Sequence, residues 1–529
     1  MSHFHKLVLA GMVLIGCILH LGDGFWTKHA VDIQRGAQLA EIHCGGCHQV
    51  PTPDFLPKRS WNFLLCDMGL RLGIQDREAL WDTRTSVRDN LLSRELNLRQ
   101  HLLVPDRPVP SPSEWNHIRA YYEALAPEEA APQPPKPEIR PLKGFTPLST
   151  SYRIKGALTS LIHIDTVRHR LLVGDSRTHT FSILDSTLEL QTQVPVERGP
   201  VDVWLHQDQL HLLYIGDLMA QSPGEFLGGI IRGKESSGGL QQDGYALTSL
   251  HRPCDMEVID LYDDGLYEWA ICNFGDHTGR FAIYHPRVDL SGELRYREEV
   301  LLEAPGAVKV QVADLDGDGL QDLGVLFAHA DEHLSIFYNQ GDGTFRRKRL
   351  LVRHPGWGYL DLKFMDIDHD GDMDILTANG DNGDSDPYNT LKREHGIRIY
   401  LQGADHSFRE SYHYPMYGVN GFEVADFDGD GDEDIAAVAF HPDFHDKHPE
   451  GFIYLENQAN GTFEPKTHPA TFGGRWMTLD SGDLDGDGDI DLALGAGYAP
   501  LGMFVEHGEL LSEMAQNGPS ILVLENTLR

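Results

Sequence analysis

Hydrophobic and polar positions follow two different periods along the chain. Near its N-terminal end, Trp115, Ile118 and Tyr122 recur at the spacing of one helix face. From about residue 150 onward, short apolar runs such as 309–313 and 323–327 flank polar loops, which is the pattern of β-strands joined by turns. The pattern predicts a multidomain chain, with a small all-α domain followed by an all-β domain.

The β part repeats an aspartate-rich loop between two apolar runs. Intact copies occupy residues 314–322, 366–374, 426–434 and 483–491, with carboxylates at loop positions 1, 3, 5 and 9. A degraded copy begins at Asp260 but has Tyr262 at position 3, so no metal site is predicted there. The copies start 52 to 60 residues apart. A period near 50 is typical of propeller blades, and roughly 380 residues give about seven of them.

The repeated loops predict about four bound Ca²⁺ ions. Hard carboxylate oxygens suit this cation, and the position-7 carbonyl can add another ligand. Mg²⁺ keeps more of its water, and ion-free polar turns are the other alternative, but clustered carboxylates repel each other unless a cation neutralises them. The predicted metal ligands are Asp314, Asp316, Asp318, Leu320, Asp322, Asp366, Asp368, Asp370, Asp372, Asp374, Asp426, Asp428, Asp430, Asp432, Asp434, Asp483, Asp485, Asp487, Asp489 and Asp491.

The helical part carries a Cys-X-X-Cys-His motif at residues 44–48. Two thiols at this spacing reach the two vinyl groups of one haem, and the adjacent imidazole lies beneath the iron. A redox dithiol or half of a zinc site is the alternative, but there is no second Cys-X-X-Cys and no thioredoxin-like pattern. The motif therefore predicts one covalent haem c held by Cys44, Cys47 and His48.

The sixth ligand of that haem is predicted to be Met68. It is the only methionine between Cys47 and the end of the helical part, and a thioether ligand raises the reduction potential and suits electron transfer. Met68 could instead only pack in a small core, and the rival ligands are His43, His101 and His117.

Composition and the N-terminus indicate an exported protein that does not bind nucleic acid. The chain has 529 residues, more than one ordinary domain, and a formal charge of −36, which is the wrong sign for phosphate binding. Residues 1–17 have a signal-peptide layout, in which Lys6 precedes an apolar run too short to span a bilayer. The run ends in Leu-Ile-Gly-Cys17, which resembles a lipobox and implies lipidation of Cys17. An uncleaved anchor or ordinary secretion remains open.

These features divide the chain into five segments. They are a lipoprotein signal peptide at 1–17, a tether at 18–31, a cytochrome c-like haem domain at 32–126, a proline-rich linker at 127–149 and a β-propeller at 150–529. Proline makes the linker stiff and extended. The location expected from the lipobox is the periplasm or cell surface, on the outer membrane.

The motif and the segments after it resemble small bacterial cytochromes fused to calcium-binding propellers. The Asp loops, with trailing turns at 339–345 and 457–463, resemble FG-GAP or VCBS repeats of integrin-like propellers. The resemblance implies that the metal loops lie on one face and that the loops after strand B and before strand A line the opposite face. The candidate ligand-binding residues there are Trp357, Asp381, Asn382, His441, Asp443 and Arg475.

The function predicted from these features is electron transfer by an exported haem protein whose propeller docks a redox partner, a polysaccharide or a small molecule. A haem-linked oxidoreductase, with a substrate such as a sugar at the propeller face, and a surface adhesion protein are the alternatives. No catalytic residue is predicted. A disulfide between Cys254 and Cys272 is plausible in an oxidising compartment.

Overall fold

The structure is a computed structural model. It describes residues 25–76, 85–218, 226–236, 239–262, 264–275, 278–290, 292–329, 331–382, 386–459, 461–500 and 507–528. The predicted signal peptide, with Cys17, lies outside the described residues. Within the described ranges, no helix is both long and apolar enough to cross a membrane.

In the N-terminal part, residues 25–76 and 85–126 contain four α-helices and a short 3₁₀ helix, Pro53–Phe55. The helices are α1 Phe25–His43, α2 Lys58–Arg71, α3 Thr85–Gln100 and α4 Pro112–Leu125. Helices α1 and α4 cross closely at Gly36, where an added Cβ would lie 2.2 Å from the His117 carbonyl oxygen. Helix α4 begins with a capping box, in which Ser111 and Glu114 satisfy each other's backbone N–H groups.

Two hydrophobic clusters hold these helices together. One contains Trp61, Trp115 and Tyr122, and the other joins Phe63 and Cys66 of α2 to Leu91 of α3. Cys66 is therefore buried as a small apolar side chain.

The remainder of the chain forms seven sheets, which confirms the predicted seven-bladed propeller. Blades 1 to 6 begin with β3, β7, β11, β15, β19 and β23, and blade 7 begins with β27. The strands are β1 Arg140–Pro141, β2 Phe145–Pro147, β3 Thr159–Asp165, β4 Arg170–Asp175, β5 Thr180–Asp185, β6 Leu190–Pro195, β7 Pro200–His206, β8 Gln209–Tyr214, β9 Gly228–Ser236, β10 Gly239–Leu250, β11 Pro253–Ile259, β12 Glu268–Asn273, β13 Arg280–Val288, β14 Leu294–Leu302, β15 Ala307–Ala313, β16 Asp322–Phe327, β17 Glu332–Asn339, β18 Phe345–Arg353, β19 Tyr359–Met365, β20 Asp374–Asn379, β21 Gly396–Gln402, β22 Phe408–Pro415, β23 Val419–Ala425, β24 Asp434–Ala439, β25 Phe452–Asn457, β26 Phe463–Thr467, β27 Trp476–Gly482, β28 Asp491–Ala496 and β29 Ile521–Asn526. A helix, α5 Gly508–Asn517, lies between β28 and β29 in the chain.

The ring is closed by residues from the segment predicted as a linker. Strand β2 pairs with β29 and completes blade 7, while β1 adds a parallel fifth strand to blade 6. The propeller therefore begins at residue 140 rather than 150. Proline lacks a backbone N–H donor and is tolerated at sheet edges, so the prolines at 141 and 147 do not prevent this pairing.

The first strand of each blade lies nearest the propeller axis, because these strands contact one another around the ring. Four aspartates on them accept a backbone N–H of a first strand in another blade. The bonds are Met256 N–H to Asp202, Val310 N–H to Asp255, Phe422 N–H to Asp361 and Ile164 N–H to Asp480, at 2.7–3.0 Å. Carboxylates thus link the blades at the axis.

Candidate functional site

The Asp-rich loops join the first two strands of blades 4 to 7, as the resemblance implied. In each loop, three carboxylates offer oxygens that all lie within 4.8 Å of one another. The groups are Asp314, Asp316 and Asp322; Asp366, Asp368 and Asp374; Asp426, Asp428 and Asp430; and Asp483, Asp485 and Asp491. Asp316 Oδ1 is buried without a hydrogen-bond partner among the described residues, which suits a cation ligand.

The position-1 carboxylate fixes the shape of each loop. Asp314 accepts the N–H groups of Gly317 at 2.8 Å and Gly319 at 2.9 Å, and both glycines adopt positive φ angles of 75° and 86°. Asp366 and Asp426 accept loop amides in the same way.

The position-9 carboxylate anchors the loop to its blade. Asp322 accepts Leu315 N–H at 3.0 Å and Asn339 N–H at 2.8 Å. Burial, aided by the negative charges of Asp316 and Asp318, raises the pKa of Asp322 to about 6 against the opposing effect of the two N–H groups that it accepts. The third loop differs, because Asp434 accepts the Tyr454 hydroxyl and Asn457 N–H, and Asp430 completes the oxygen cluster instead.

The degraded loop in blade 3 keeps the same backbone contacts, and apart from residue 263, which lies outside the described ranges, it shows no cluster of three carboxylates. Asp260 accepts the N–H groups of Asp264 and Gly265 at 3.1 and 3.0 Å. Tyr262 is exposed, and the buried Glu268 faces His285 Nδ1 at 3.6 Å.

The Cys-X-X-Cys-His motif follows directly on helix α1. Cys44 and Cys47 are free thiols, and the Cys44 N–H donates to the Ala40 carbonyl at 2.8 Å. Burial raises the pKa of Cys44 to about 11. A Cβ at Gly45 would lie 2.5 Å from the Glu41 carbonyl oxygen, so the turn needs glycine there.

The His48 ring has one nitrogen committed to the backbone. Its Nδ1 lies 2.9 Å from the Gln49 carbonyl oxygen, which can only accept, so Nδ1 carries the proton. The Nε2 atom of the neutral ring then has a free lone pair. This is the arrangement of a metal-ligating histidine, whose other nitrogen donates to a carbonyl.

Met68 lies on helix α2, three residues before Arg71, and residues at this spacing share a helix face. Burial lowers the pKa of His48, and the Arg71 charge lowers it further. The Arg71 charge thus acts on the motif from the helix that also carries Met68. Of the rival ligands, His117 Nδ1 donates to the Ser113 carbonyl at 2.7 Å and His43 Nε2 lies 4.0 Å from Glu114. His101 directly follows helix α3.

The helical part docks on the propeller face opposite the Asp loops. Ser60 on α2 bonds Asp386 Oδ2 at 3.0 Å and Thr390 Oγ1 at 2.9 Å, and all three side chains are buried. The Phe55 ring packs edge-on against His354, with centroids 4.3 Å apart. These propeller residues lie in the loops between β18 and β19 and between β20 and β21 of blades 4 and 5.

A second set of contacts confirms the same docking surface. Arg59 lies over the Tyr388 ring at 5.2 Å, and Arg393 pairs with Asp54 at 3.4 Å. The Asp331 charge, from the blade 4 loop after β16, raises the pKa of His48 against the larger effect of burial. The Cys-X-X-Cys-His motif is thus close to the propeller loops.

The predicted ligand-face residues occupy this opposite face, but three of the six, Asn382, His441 and Arg475, are buried. Asn382 donates to Asn389 Oδ1 at 2.8 Å and accepts from Lys392. Arg475 is fully buried and donates to the Phe440 and Ala499 carbonyls at 2.7 and 2.5 Å.

The other four predicted ligand-face residues have different surroundings. Trp357 lies between two guanidinium groups, those of Arg398 at 4.4 Å and Arg353 at 4.7 Å. Asp443 caps a turn by accepting His445 N–H at 2.9 Å. His441 and Asp381 lie beside Lys392 and His395, which the sequence did not single out because neither belongs to a repeated motif.

The predicted disulfide between Cys254 and Cys272 is wrong in this structure, because both thiols are free. Cys254 points toward blade 4 and donates to the Ala307 and Val308 carbonyls, each at 3.3 Å. Cys272 is fully buried.

The fold and its loops define the class of this protein, a seven-bladed β-propeller with Asp-rich loops. Residues 314–377 match the FG-GAP-like repeat family, so the propeller contains an FG-GAP repeat. No curated protein matches the chain.

Two solved structures have some similarity to this chain. A chain from the structure of an S. cerevisiae Dbp5 variant bound to Nup159, a Gle1 variant, IP6 and ADP is 9% identical, with a TM-score of 0.42, over 75% of this chain and 98% of that chain. BBS1N in complex with ARL6DN is 10% identical, with a TM-score of 0.41, over 74% and 98% of the two chains.

Proposed function

We propose that this chain is an exported electron-transfer protein with one covalent haem, whose propeller docks a partner or ligand. The single observation that carries the proposal is the state of His48. Its Nδ1–H donates to the Gln49 carbonyl, which leaves Nε2 free beside two unpaired thiols. That donor set fits a haem attached through Cys44 and Cys47 and ligated by His48. When bound, the haem supplies one-electron redox chemistry.

Met68 is the sixth ligand in this proposal. Its support is its place on the α2 face that carries Arg71, the residue whose charge acts on His48. A His/Met pair leaves no open position on the iron, which favours electron transfer over peroxide chemistry.

We propose that each of the four loops in blades 4 to 7 holds one Ca²⁺ ion. The support is the clustering of three carboxylate oxygens per loop and the orphaned oxygen of Asp316. Bound calcium would neutralise the repelling charges and stabilise the blade edges. These loops lie opposite the docked helical part, so their role is structural.

The haem proposal is tested by expressing the full chain in a cell able to mature c-type cytochromes. The purified protein should be red, with a haem that denaturation and acidic acetone do not extract. The double variant Cys44→Ser and Cys47→Ser should lose the covalent link, while Cys66→Ser, which removes a buried thiol outside the motif, should keep it. A colourless wild-type protein would overturn the proposal.

The ligand assignment has its own readout in the same protein. Met68→Ala should remove the low-spin thioether signature from the absorption spectrum and lower the reduction potential. Unchanged spectra and potential in Met68→Ala would reject Met68.

A second candidate, a haem-linked oxidoreductase, is favoured by the position of the motif against the propeller loops. His48 lies close enough to Asp331 and His354 for their charges to interact. A substrate on this face would be near the iron. Screening sugars and small organic acids for reduction of the oxidised haem separates this function from simple electron transfer.

We also propose that lipidation of Cys17 places the protein on the outer membrane, facing the periplasm or the cell surface. The support is the lipobox-like sequence that ends at Cys17. Metabolic labelling with a fatty acid should mark the wild type, and Cys17→Ser should be unlabelled and released from membranes.

A further inference from the structure

Buried basic side chains converge where blades 5 and 6 meet on the docking face. Gly380, just after β20, approaches Gly418, just before β23, so closely that a Cβ at Gly380 would lie 2.5 Å from the Gly418 carbonyl carbon. Lys392, His395 and His441 surround this contact. None of the three side chains is more than 6% exposed.

Lys392 is a buried ammonium that has no counter-ion among the residues whose positions the structure gives. Its Nζ donates to the side-chain oxygen of Asn382 and lies 3.5 Å from the Asp381 carbonyl oxygen. Among the residues that the structure describes, no carboxylate lies within ion-pairing distance of it. Burying an unpaired charge is costly, so this lysine has unused capacity to bind an anion.

His395 adds an unused hydrogen-bond donor. Its Nδ1 lies 3.4 Å from the Gly418 backbone nitrogen, which can only donate, so Nδ1 accepts and the proton of the neutral ring sits on Nε2. That Nε2–H is buried and has no hydrogen-bond partner among the described residues. An orphaned donor beside an unpaired ammonium calls for an acceptor with negative charge.

His441 completes the cluster from blade 6. Its backbone N–H donates to the Gly418 carbonyl, so the two histidines lie on either side of the same glycine. Its Nδ1 faces Arg475 Nη2 at 3.4 Å and therefore accepts, which places its proton on Nε2 as well. The positive charges of Lys392 and Arg475 reach His441, and its own burial lowers its pKa.

We propose that Lys392, His395 and His441 form a binding site for one oxyanion group, such as a carboxylate, sulfate or phosphate. The donors are one ammonium and two imidazole N–H groups, and the described residues bring no carboxylate to them. This set does not suit a metal cation, because both Nδ1 atoms already accept hydrogen bonds. Because all three side chains are buried, the site takes a single charged group rather than a large ligand. It stands on the propeller alone and does not depend on the haem.

The test uses the full-length protein in chloride buffer at constant ionic strength, titrated calorimetrically with phosphate, sulfate and acetate. We expect one site per chain for at least one of these anions. Lys392→Met should weaken that binding at least tenfold, and His395→Phe should weaken it several-fold. Lys155→Met, which removes an exposed lysine before blade 1, should bind like the wild type.

Thermal unfolding separates a binding role from a structural one. The binding anion should raise the Tm of the wild type but not of Lys392→Met, because only a ligand of the folded state stabilises it. In chloride alone, Lys392→Met should be at least as stable as the wild type, since it removes an unpaired buried charge. Equal anion binding by the two proteins, no binding by the wild type, or a Lys392→Met protein that is destabilised equally with and without the anion would overturn the proposal.

Discussion

At the scale of single residues, Gly380 decides how closely blades 5 and 6 approach. A Cβ at this position would lie 2.1 Å from the Val419 carbonyl oxygen and 2.2 Å from the Val419 nitrogen. Because these are backbone atoms at the start of β23, they cannot move aside without shifting the strand.

We therefore expect Gly380→Ala to destabilise the protein by about 1–3 kcal/mol, the usual cost of overpacking. Urea unfolding followed by tryptophan fluorescence measures the loss. Gly473→Ala is the control, because a Cβ at Gly473 meets nothing within 4 Å. Equal stability of the two variants would show that the contact between blades 5 and 6 adjusts to the added methyl group.

The functional role of a single residue could be predicted from the sequence where the residue belongs to a motif with a fixed spacing. Cys44, Cys47 and His48 follow each other in one motif, so the sequence alone names them as a set. Lys392 and His395 could not be found in this way, because their meaning arises only when blade 6 places Gly418 and His441 beside them. Arg475, a candidate ligand residue from sequence, is instead fully buried against two carbonyl groups.

At the scale of elements, the Asp-rich loop is the repeating unit, and its chemistry differs between blades. The loops of blades 4 to 7 cluster three carboxylates, whereas the blade 3 loop keeps the backbone fold with Tyr262 exposed at position 3. The sequence predicted this difference because each loop is a local feature whose ligands lie within nine residues.

We expect the purified protein to retain four Ca²⁺ ions per chain after dialysis against a buffer in which trace calcium is the only divalent cation. Elemental analysis measures this content. The double variant Asp366→Ala and Asp368→Ala should retain three, because it removes two of the three oxygens clustered in its loop. The control Asp260→Ala should still retain four. A wild-type content of zero, or a loss of calcium in the control, would contradict the assignment.

The strand pairing that closes the ring could not be predicted from the sequence. Strand β2 was hidden in a proline-rich segment, and its partner β29 lies almost the whole propeller away in the chain. Local patterns cannot report such a distant pairing. Phe145 of β2 is buried, and its ring centroid lies 5.9 Å from that of Tyr454 in blade 6.

We expect Phe145→Ala to cost roughly 3–5 kcal/mol, the loss typical of a large side chain removed from a core. Chemical unfolding measures it. Thr146→Ala changes the exposed neighbour on the same strand and should stay within about 0.5 kcal/mol of the wild type. If both variants unfold like the wild type, β2 does not hold the ring closed.

At the scale of the whole molecule, the propeller axis concentrates buried charge from every side of the ring. Glu423 on β23 pairs with Lys363 of blade 5 at 2.9 Å and faces Ser481 of blade 7 at 3.5 Å. The negative charges of Asp480 and Asp361 also reach it. Burial is the main cause that raises the pKa of Glu423 to about 7, against the opposing effect of Lys363.

This raised pKa makes the stability of the folded protein decrease as the pH rises. In the unfolded chain Glu423 ionises near its ordinary pKa of 4.5, whereas in the folded protein it holds its proton until about pH 7. Its contribution to stability is thus full below pH 4.5 and is lost as the pH rises to about 7.

Glu423→Gln mimics the protonated form at every pH, so the Tm of the wild type should fall relative to that of Glu423→Gln between pH 5 and pH 8. Glu129→Gln, an exposed change outside the axis, should show a constant difference. A constant difference for Glu423→Gln as well would mean that Lys363 keeps Glu423 ionised throughout this range, and that the charges at the axis balance without the proton.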